Sequence, residues 1–243
     1  MIRRPISGTC DNDSMSDAFP RPDARTCTLE TSVHGRYIVV PPLQLPPAVR
    51  ILLGFHGYGE PVEAHLNQLR TIPGADAWLT VAVQALHRFY TKPDVVGASW
   101  MTRQDRDLAI RDNVAYVNRV VAAVRAEWRT AGPVVFLGFS QGASMAYRAA
   151  VLGAERAAAV IALGGDIPPE LRAQGLRQFP PALIARGTRD TWYTAEKLES
   201  DVACLRQNGT DVQALTFDGG HEWTDVFRQA AGTVLRQAAD SQS

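Results

Sequence analysis

The chain has 243 residues, 46% of them hydrophobic and 21% charged, an ordinary globular balance with enough apolar side chains for one sizeable core. Lys plus Arg (25) equals Asp plus Glu (25), so no net field draws the chain to nucleic acid or to an anionic membrane; a compact, uncharged small molecule suits it better. Three cysteines, Cys10, Cys27 and Cys204, show neither zinc-site spacing nor the density of a disulfide scaffold, and read as free thiols in a reducing compartment.

Residues 1–30 are rich in Asp, Ser, Pro and Arg without period and are expected to form a poorly ordered tail, within which Met15-Ser16-Asp17 reads as an alternative start. Arg3 and Arg4 are followed by no apolar stretch over 5–17, and no later apolar run reaches about 18 residues. A cytoplasmic protein without stable membrane insertion is the expectation. Residues 31–243 contain no repeat, low-complexity block or second composition regime, which predicts a single domain.

From Gly35 onward, short apolar runs alternate with longer amphipathic segments, the signature of an α/β fold with a mostly parallel sheet and helices on both faces. Strands are predicted at 36–40, 50–55, 79–85, 134–139, 158–163, 182–185 and 212–217, most of them apolar on both sides as buried parallel strands must be. Helices are predicted near 62–69 and over 110–128, 141–152, 195–207 and 222–238. The clearest places Ile110, Val114, Val117, Val121, Val124 and Trp128 at spacings of three or four, with Arg111, Asp112, Asn118, Arg119, Arg125 and Arg129 opposite. Only 164–181 joins two of the late strands, too short for a cap domain, so a site at that edge is expected to open to solvent.

Gly138-Phe139-Ser140-Gln141-Gly142 sits between the strand run Val134-Val135-Phe136-Leu137 and a helix-forming stretch that starts at Ala143. A Ser on such a strand-to-helix turn stands above the sheet's C-terminal edge, with Gly138 and Gly142 allowing the two backbones to pass closely. The helix start adds a positive dipole end and the Gln141 N–H, both favourable to a developing oxyanion. A Ser hydroxyl is a poor nucleophile unless a base and an orienting acid follow. His221, in Asp218-Gly219-Gly220-His221-Glu222 after the last strand, is the only one of five histidines placed there and is the candidate base. Asp190, after the penultimate strand, is the first choice for the acid, and Asp166 is its rival. In the glycine-rich loop Gly54-Phe55-His56-Gly57-Tyr58-Gly59-Glu60, main-chain N–H groups can turn inward. Tyr58 and Gln141 amides are therefore the candidate oxyanion donors, with His56 bracing the loop. Among the aromatics near this edge, Trp100, Tyr58, Trp192 and Trp223 are the candidates for a substrate groove, and His87 and Phe89 lie close by.

With these segments in place the chain resembles the phospholipase/carboxylesterase family, compact α/β-hydrolases that include acyl-protein thioesterases and small carboxylesterases. The likeness runs from about Gly35 to the C-terminus and rests on His56-Gly57-Tyr58-Gly59-Glu60, Ser99-Trp100, Gly138-Phe139-Ser140-Gln141-Gly142, Gly187-x-x-Asp190 and Gly220-His221-Glu222. The order Ser, Asp, His is the α/β-hydrolase order. The resemblance implies a triad of Ser140, Asp190 and His221, oxyanion amides at Tyr58 and Gln141, no metal or organic cofactor, and hydrolysis of carboxylic esters or thioesters; a monomer or homodimer is the separate expectation for its assembly. Two places depart from it. Tyr58 stands where such enzymes usually carry Leu, and 87–93 matches no part of the pattern. The expected activity is serine carboxylesterase action on short- to medium-chain esters. Thioester or (lyso)phospholipid hydrolysis on the same triad is the alternative, and a non-catalytic binding protein of this fold is a third reading.

Overall fold

In the computed structural model, residues 9–11, 25–44 and 48–240 are described. The chain divides into two compact units, Met1–His34 and Gly35–Ser243. In the first, β1 (Thr9–Asp11) pairs antiparallel with β2 (Thr26–Thr28); residues 1–8 and 12–24 of the stretch read as a tail lie outside the described residues. Cys27 and Cys204 are free thiols.

The second unit is built on a seven-stranded sheet of β3 (Arg36–Val40), β4 (Ile51–Phe55), β5 (Leu79–Gln84), β8 (Val134–Phe139), β9 (Ala159–Leu163), β10 (Ala182–Gly187) and β11 (Val212–Phe217). Its spatial order is β11-β10-β9-β8-β4-β5-β3, and only the β3–β5 pairing is antiparallel. Both sheet faces are covered. Along β8, Val134 and Phe136 face one side and Val135 and Leu137 the other, the period-2 alternation of a pleated strand. The first side packs against α2 (Arg106–Trp128), α3 (Gln141–Leu152) and α5 (Ala195–Gln207). The second packs against α1 (Val62–Arg70) and α6 (Asp225–Asp240).

The expected strands and helices all form, with ends moved by no more than four residues. Within this unit four elements were not foreseen: η1 (Ala75–Ala77), the short α4 (Pro169–Gln174), and β6 (His87–Lys92) and β7 (Val95–Ser99), which pair as a separate hairpin. The segment between β9 and β10 holds only α4, and no large cap covers the sheet edge. Among the described residues no helix is long and apolar enough to cross a membrane.

Because β4, β8, β9, β10 and β11 run parallel and in register, the loops that follow them emerge at one edge. That edge is where open α/β sheets place their ligands.

Candidate active site

Ser140 occupies the tight turn between β8 and α3 at φ 56°, ψ −121°, a region that L side chains rarely enter. The turn survives because its neighbours leave no room to relax. The Ser140 N–H donates to Leu163 O (2.8 Å), and the Ala143 N–H to Ser140 O (3.0 Å). A Cβ on Gly138 would land on the Gly142 carbonyl, and one on Gly142 would land on the Phe55 carbonyl. Both glycines are thus required by close backbone approach, as the sequence implied.

Two further loops converge on this turn. In the loop after β11, His221 Nδ1 lies 2.8 Å from Asp190 Oδ2. The carboxylate accepts, so Nδ1 donates and Nε2 keeps its lone pair. The other oxygen, Asp190 Oδ1, accepts from the main-chain N–H groups of Trp192 (2.8 Å) and Tyr193 (3.0 Å), which fixes the carboxylate plane. Arg186 ties down the same loop, donating to the carbonyls of Tyr193 (2.8 Å) and Asp190 (3.3 Å). Glycine again permits the approach of the two loops. A Cβ on Gly187 would collide with the carbonyls of Gly219 and Gly220.

The imidazole lies beside the serine turn. The ring of Phe139, the residue before Ser140, stands 5.0 Å from that of His221 at 34°. Gly164 and Gly165 form the seam between them: a Cβ on Gly164 would be 2.9 Å from His221 Cε1, and one on Gly165 would press on Ser140 O. The structure therefore brings Ser140, His221 and Asp190 to one place. Asp166, the rival acid, is exposed and faces Lys197 Nζ at 3.6 Å.

The loop after β4 closes the other side. A Cβ on Gly57 would sit 3.4 Å from Ser140 Cβ. Gly57 N–H donates to Glu60 Oε2 (2.9 Å), and Gly59 N–H donates to Ala98 O (2.9 Å) on β7. Neither the Tyr58 nor the Gln141 amide N–H is hydrogen-bonded within the described residues. His56 braces the loop from within the core: it is 0% exposed, its Nε2 accepts the Ala85 N–H (3.0 Å), and its Nδ1–H donates to Gly57 O (2.6 Å). Burial pulls its pKa down from 6.5 to about 4, against an upward contribution from the Gly57 bond. Burial opposes ionisation of Glu60 too, but the nearby His65, its Nδ1 3.5 Å from Glu60 Oε2, and the Gly57 N–H hold its carboxyl below the usual value.

These brackets make the loop acid-sensitive. The unfolded chain protonates the His56 imidazole near pH 6.5 and the folded chain only near 4. Stability from this group is thus complete above about pH 6.5 and falls by about 3 kcal/mol as pH drops through 4. Urea unfolding midpoints measured from pH 7.5 to 4 are expected to decline in the native sequence and to decline less in His56→Gln. Parallel curves for the two proteins would refute this role.

The aromatic candidates separate. Trp100 is 0% exposed, so the expectation that it lines a substrate groove is corrected: its indole N–H donates to His56 O (2.9 Å), and it offers no surface to a ligand. A buried Trp needs an acceptor for that N–H, and the one it finds is in the loop core. Trp223 is half-buried, with its ring against Phe139 (6.1 Å), His65 (5.8 Å) and Phe227 (5.1 Å). Trp192 and Tyr58 are exposed, and the Tyr58 ring lies on Phe89 of the hairpin at 5.4 Å. His87 is exposed at the start of β6. Sequence reading missed the staple by Glu60, the Gly164-Gly165 seam and the Gln141 side chain, which reaches back to residues 99–101. Among the described residues no three His, Cys, Asp or Glu side chains are grouped as metal ligands.

Comparison with known proteins bears on the family and the fold. The sequence profile described as phospholipase/carboxylesterase matches residues 39–236. No curated protein matches the chain significantly. Among solved structures, esterase PE8 superposes with a TM-score of 0.69 at 24% identity, covering 85% of this chain and 100% of that one. The Bacillus cereus carboxylesterase gives 0.68 at 16% identity over 84% and 94% of the two chains. Zea mays acyl-protein thioesterase 2 gives 0.63 at 17% identity over 85% and 100%. At these identities the likeness speaks for the fold.

Proposed function

Since the chain belongs to the phospholipase/carboxylesterase family of α/β-hydrolases, a hydrolytic family, we propose that it is a serine carboxylesterase acting on short- to medium-chain carboxylic esters. The observation that carries this reading is the His221–Asp190 pair at 2.8 Å beside a strained Ser140 turn, with the Tyr58 and Gln141 amides of the adjoining segments uncommitted. Neither a helix cap nor a plain glycine turn requires all five.

His221 Nε2 takes the Ser140 proton as Oγ attacks the ester carbonyl, and the Asp190 carboxylate stabilises the resulting imidazolium through Nδ1–H. The carbonyl oxygen gains negative charge and is held by the Tyr58 and Gln141 N–H groups, with the α3 dipole behind Gln141. His221 then protonates the departing alkoxide, leaving an acyl-Ser140. Water, deprotonated by His221, attacks that acyl carbon and releases the acid and the free serine. No metal or organic cofactor has a step in this scheme, and a neutral small-molecule ester is the partner it calls for.

The uncapped edge and the exposed rings of Tyr58 and Trp192 support an open, modest groove rather than a deep lipid tunnel. In a series of p-nitrophenyl esters from acetate to palmitate, kcat/KM is expected to peak at the short-to-medium lengths. Maximal activity on long-chain triglyceride droplets would contradict this. A thioester is attacked by the same groups, and a parallel acyl-thioester series ranks the two leaving groups.

A further inference from the structure

We propose that Trp100 is a positioning residue that holds the two halves of the oxyanion site in register, a role that rests on the esterase reading above. The two amides assigned to the oxyanion come from separate elements, Tyr58 from the loop after β4 and Gln141 from the first residue of α3. Trp100 is tied to both. Its main-chain N–H donates to Gln141 Oε1 (2.9 Å), and its indole N–H donates to His56 O (2.9 Å), two residues before Tyr58. Its carbonyl accepts from Asn113 Nδ2 (2.6 Å), which anchors the residue to α2. The ring is wedged between Phe55 (5.4 Å) and His56 (5.3 Å) and is 0% exposed. On either side along the chain, Ala98 O accepts the Gly59 N–H (2.9 Å) and Met101 O accepts Gln141 Nε2 (2.9 Å). Residues 98–101 thus clasp both donor segments, and among the described residues Trp100 is the one that bonds to each.

Oxyanion donors help only when their spacing is set before charge develops, because a donor that must move has its advantage spent on reorganisation. Removal of the indole N–H leaves the buried His56 carbonyl without that partner, and the loop relaxes to satisfy it. A small shift of the Tyr58 amide then weakens a bond that matters in the tetrahedral state far more than in the bound ester. Such a loss falls on kcat and spares KM.

Trp100→Phe keeps an aromatic ring in the slot and deletes the donor. The purified variant and the native protein are titrated for active sites with a fluorophosphonate, assayed on p-nitrophenyl butyrate, and inhibited with a trifluoromethyl ketone, whose serine adduct carries the oxyanion. The expected result is kcat per titrated site lower by about tenfold, KM within about twofold, the ketone Ki raised by the same factor as kcat falls, and an unchanged pH profile. A residue that only fills space would instead lower the melting temperature or the titratable fraction and leave both kcat per site and the ketone Ki alone; that outcome overturns the proposal. Should Trp100→Phe give no folded protein, Gln141→Ala, which cuts the tether from the other side while keeping the main-chain amide, is held to the same criteria. A native protein that neither titrates nor turns over the ester contradicts the esterase reading itself. An active native protein with an indifferent Trp100→Phe contradicts the positioning role alone.

Discussion

Ser140→Ala is expected to lower ester turnover by roughly 10⁴-fold or more, with little change in melting temperature. The chemical part of this result follows from the loss of the acyl acceptor, since the His221–Asp190 pair and the two amides have nothing to activate. The stability part follows from the backbone. At φ 56° an alanine carries the same strain as the serine it replaces, so the fold neither gains nor loses much. Ser140→Gly separates the two effects, because glycine adopts this conformation freely. It is equally inactive but is expected to unfold with a free energy about 1 kcal/mol higher. Steady-state kinetics and urea melts of the three proteins check both halves. An active Ser140→Ala removes the mechanism, and a destabilised Ser140→Gly removes the claim that the turn is held under strain.

Asp190→Asn is expected to lower kcat by about 10⁴-fold although it is nearly isosteric. The reason lies in which oxygen does what. Oδ1 accepts from the Trp192 and Tyr193 N–H groups, so in the variant the amide oxygen stays there and the amide NH₂ is turned toward His221. Nδ1 must then accept, which drives the proton to Nε2 and leaves the imidazole unable to take the Ser140 proton. The loop itself keeps its two backbone bonds, so stability should change little. A variant retaining more than about a tenth of native kcat would show that this carboxylate does not set the tautomer. In that case a loop carboxylate elsewhere would have to do so, and Asp166, paired with Lys197, is poorly placed for it.

The parts of the molecule that the sequence announces are those where one local pattern matches one burial. The strand Val134–Phe139 and the helix Gln141–Leu152 are legible because an apolar run buried on both faces meets a segment of strong helix formers at a glycine-flanked serine. Asp190 and His221 are legible because they follow the last two strands, and parallel strands deliver their loops to one edge. The hairpin of β6 and β7 is not. His87, Arg88, Tyr90, Thr91 and Lys92 are all exposed, so no alternation of apolar and polar residues marks β6 as a strand. The last helix begins at Asp225 rather than at Glu222 because Glu222 Oε1 accepts the Gly220 N–H and bends into the loop, while Thr224 Oγ1 accepts the Phe227 N–H.

Trp100 shows the limit most clearly. Sequence places it at the functional edge, where a tryptophan can face a ligand or the core. Which of these it does depends on where the indole N–H finds an acceptor, and His56 O is set by tertiary packing alone. Tyr58 is the converse, since its loop position is legible while its exposed ring against Phe89 depends on a hairpin that the sequence conceals.

On the proposed mechanism Ser140 is an activated acyl acceptor. The most direct measurement is labelling of the purified protein with a fluorophosphonate, followed by peptide mass mapping. Stoichiometric modification of the native protein on the peptide that contains Ser140, lost in Ser140→Ala and strongly slowed in Asp190→Asn, is the predicted result. No labelling of the folded native protein, or labelling that persists in Ser140→Ala, would contradict it.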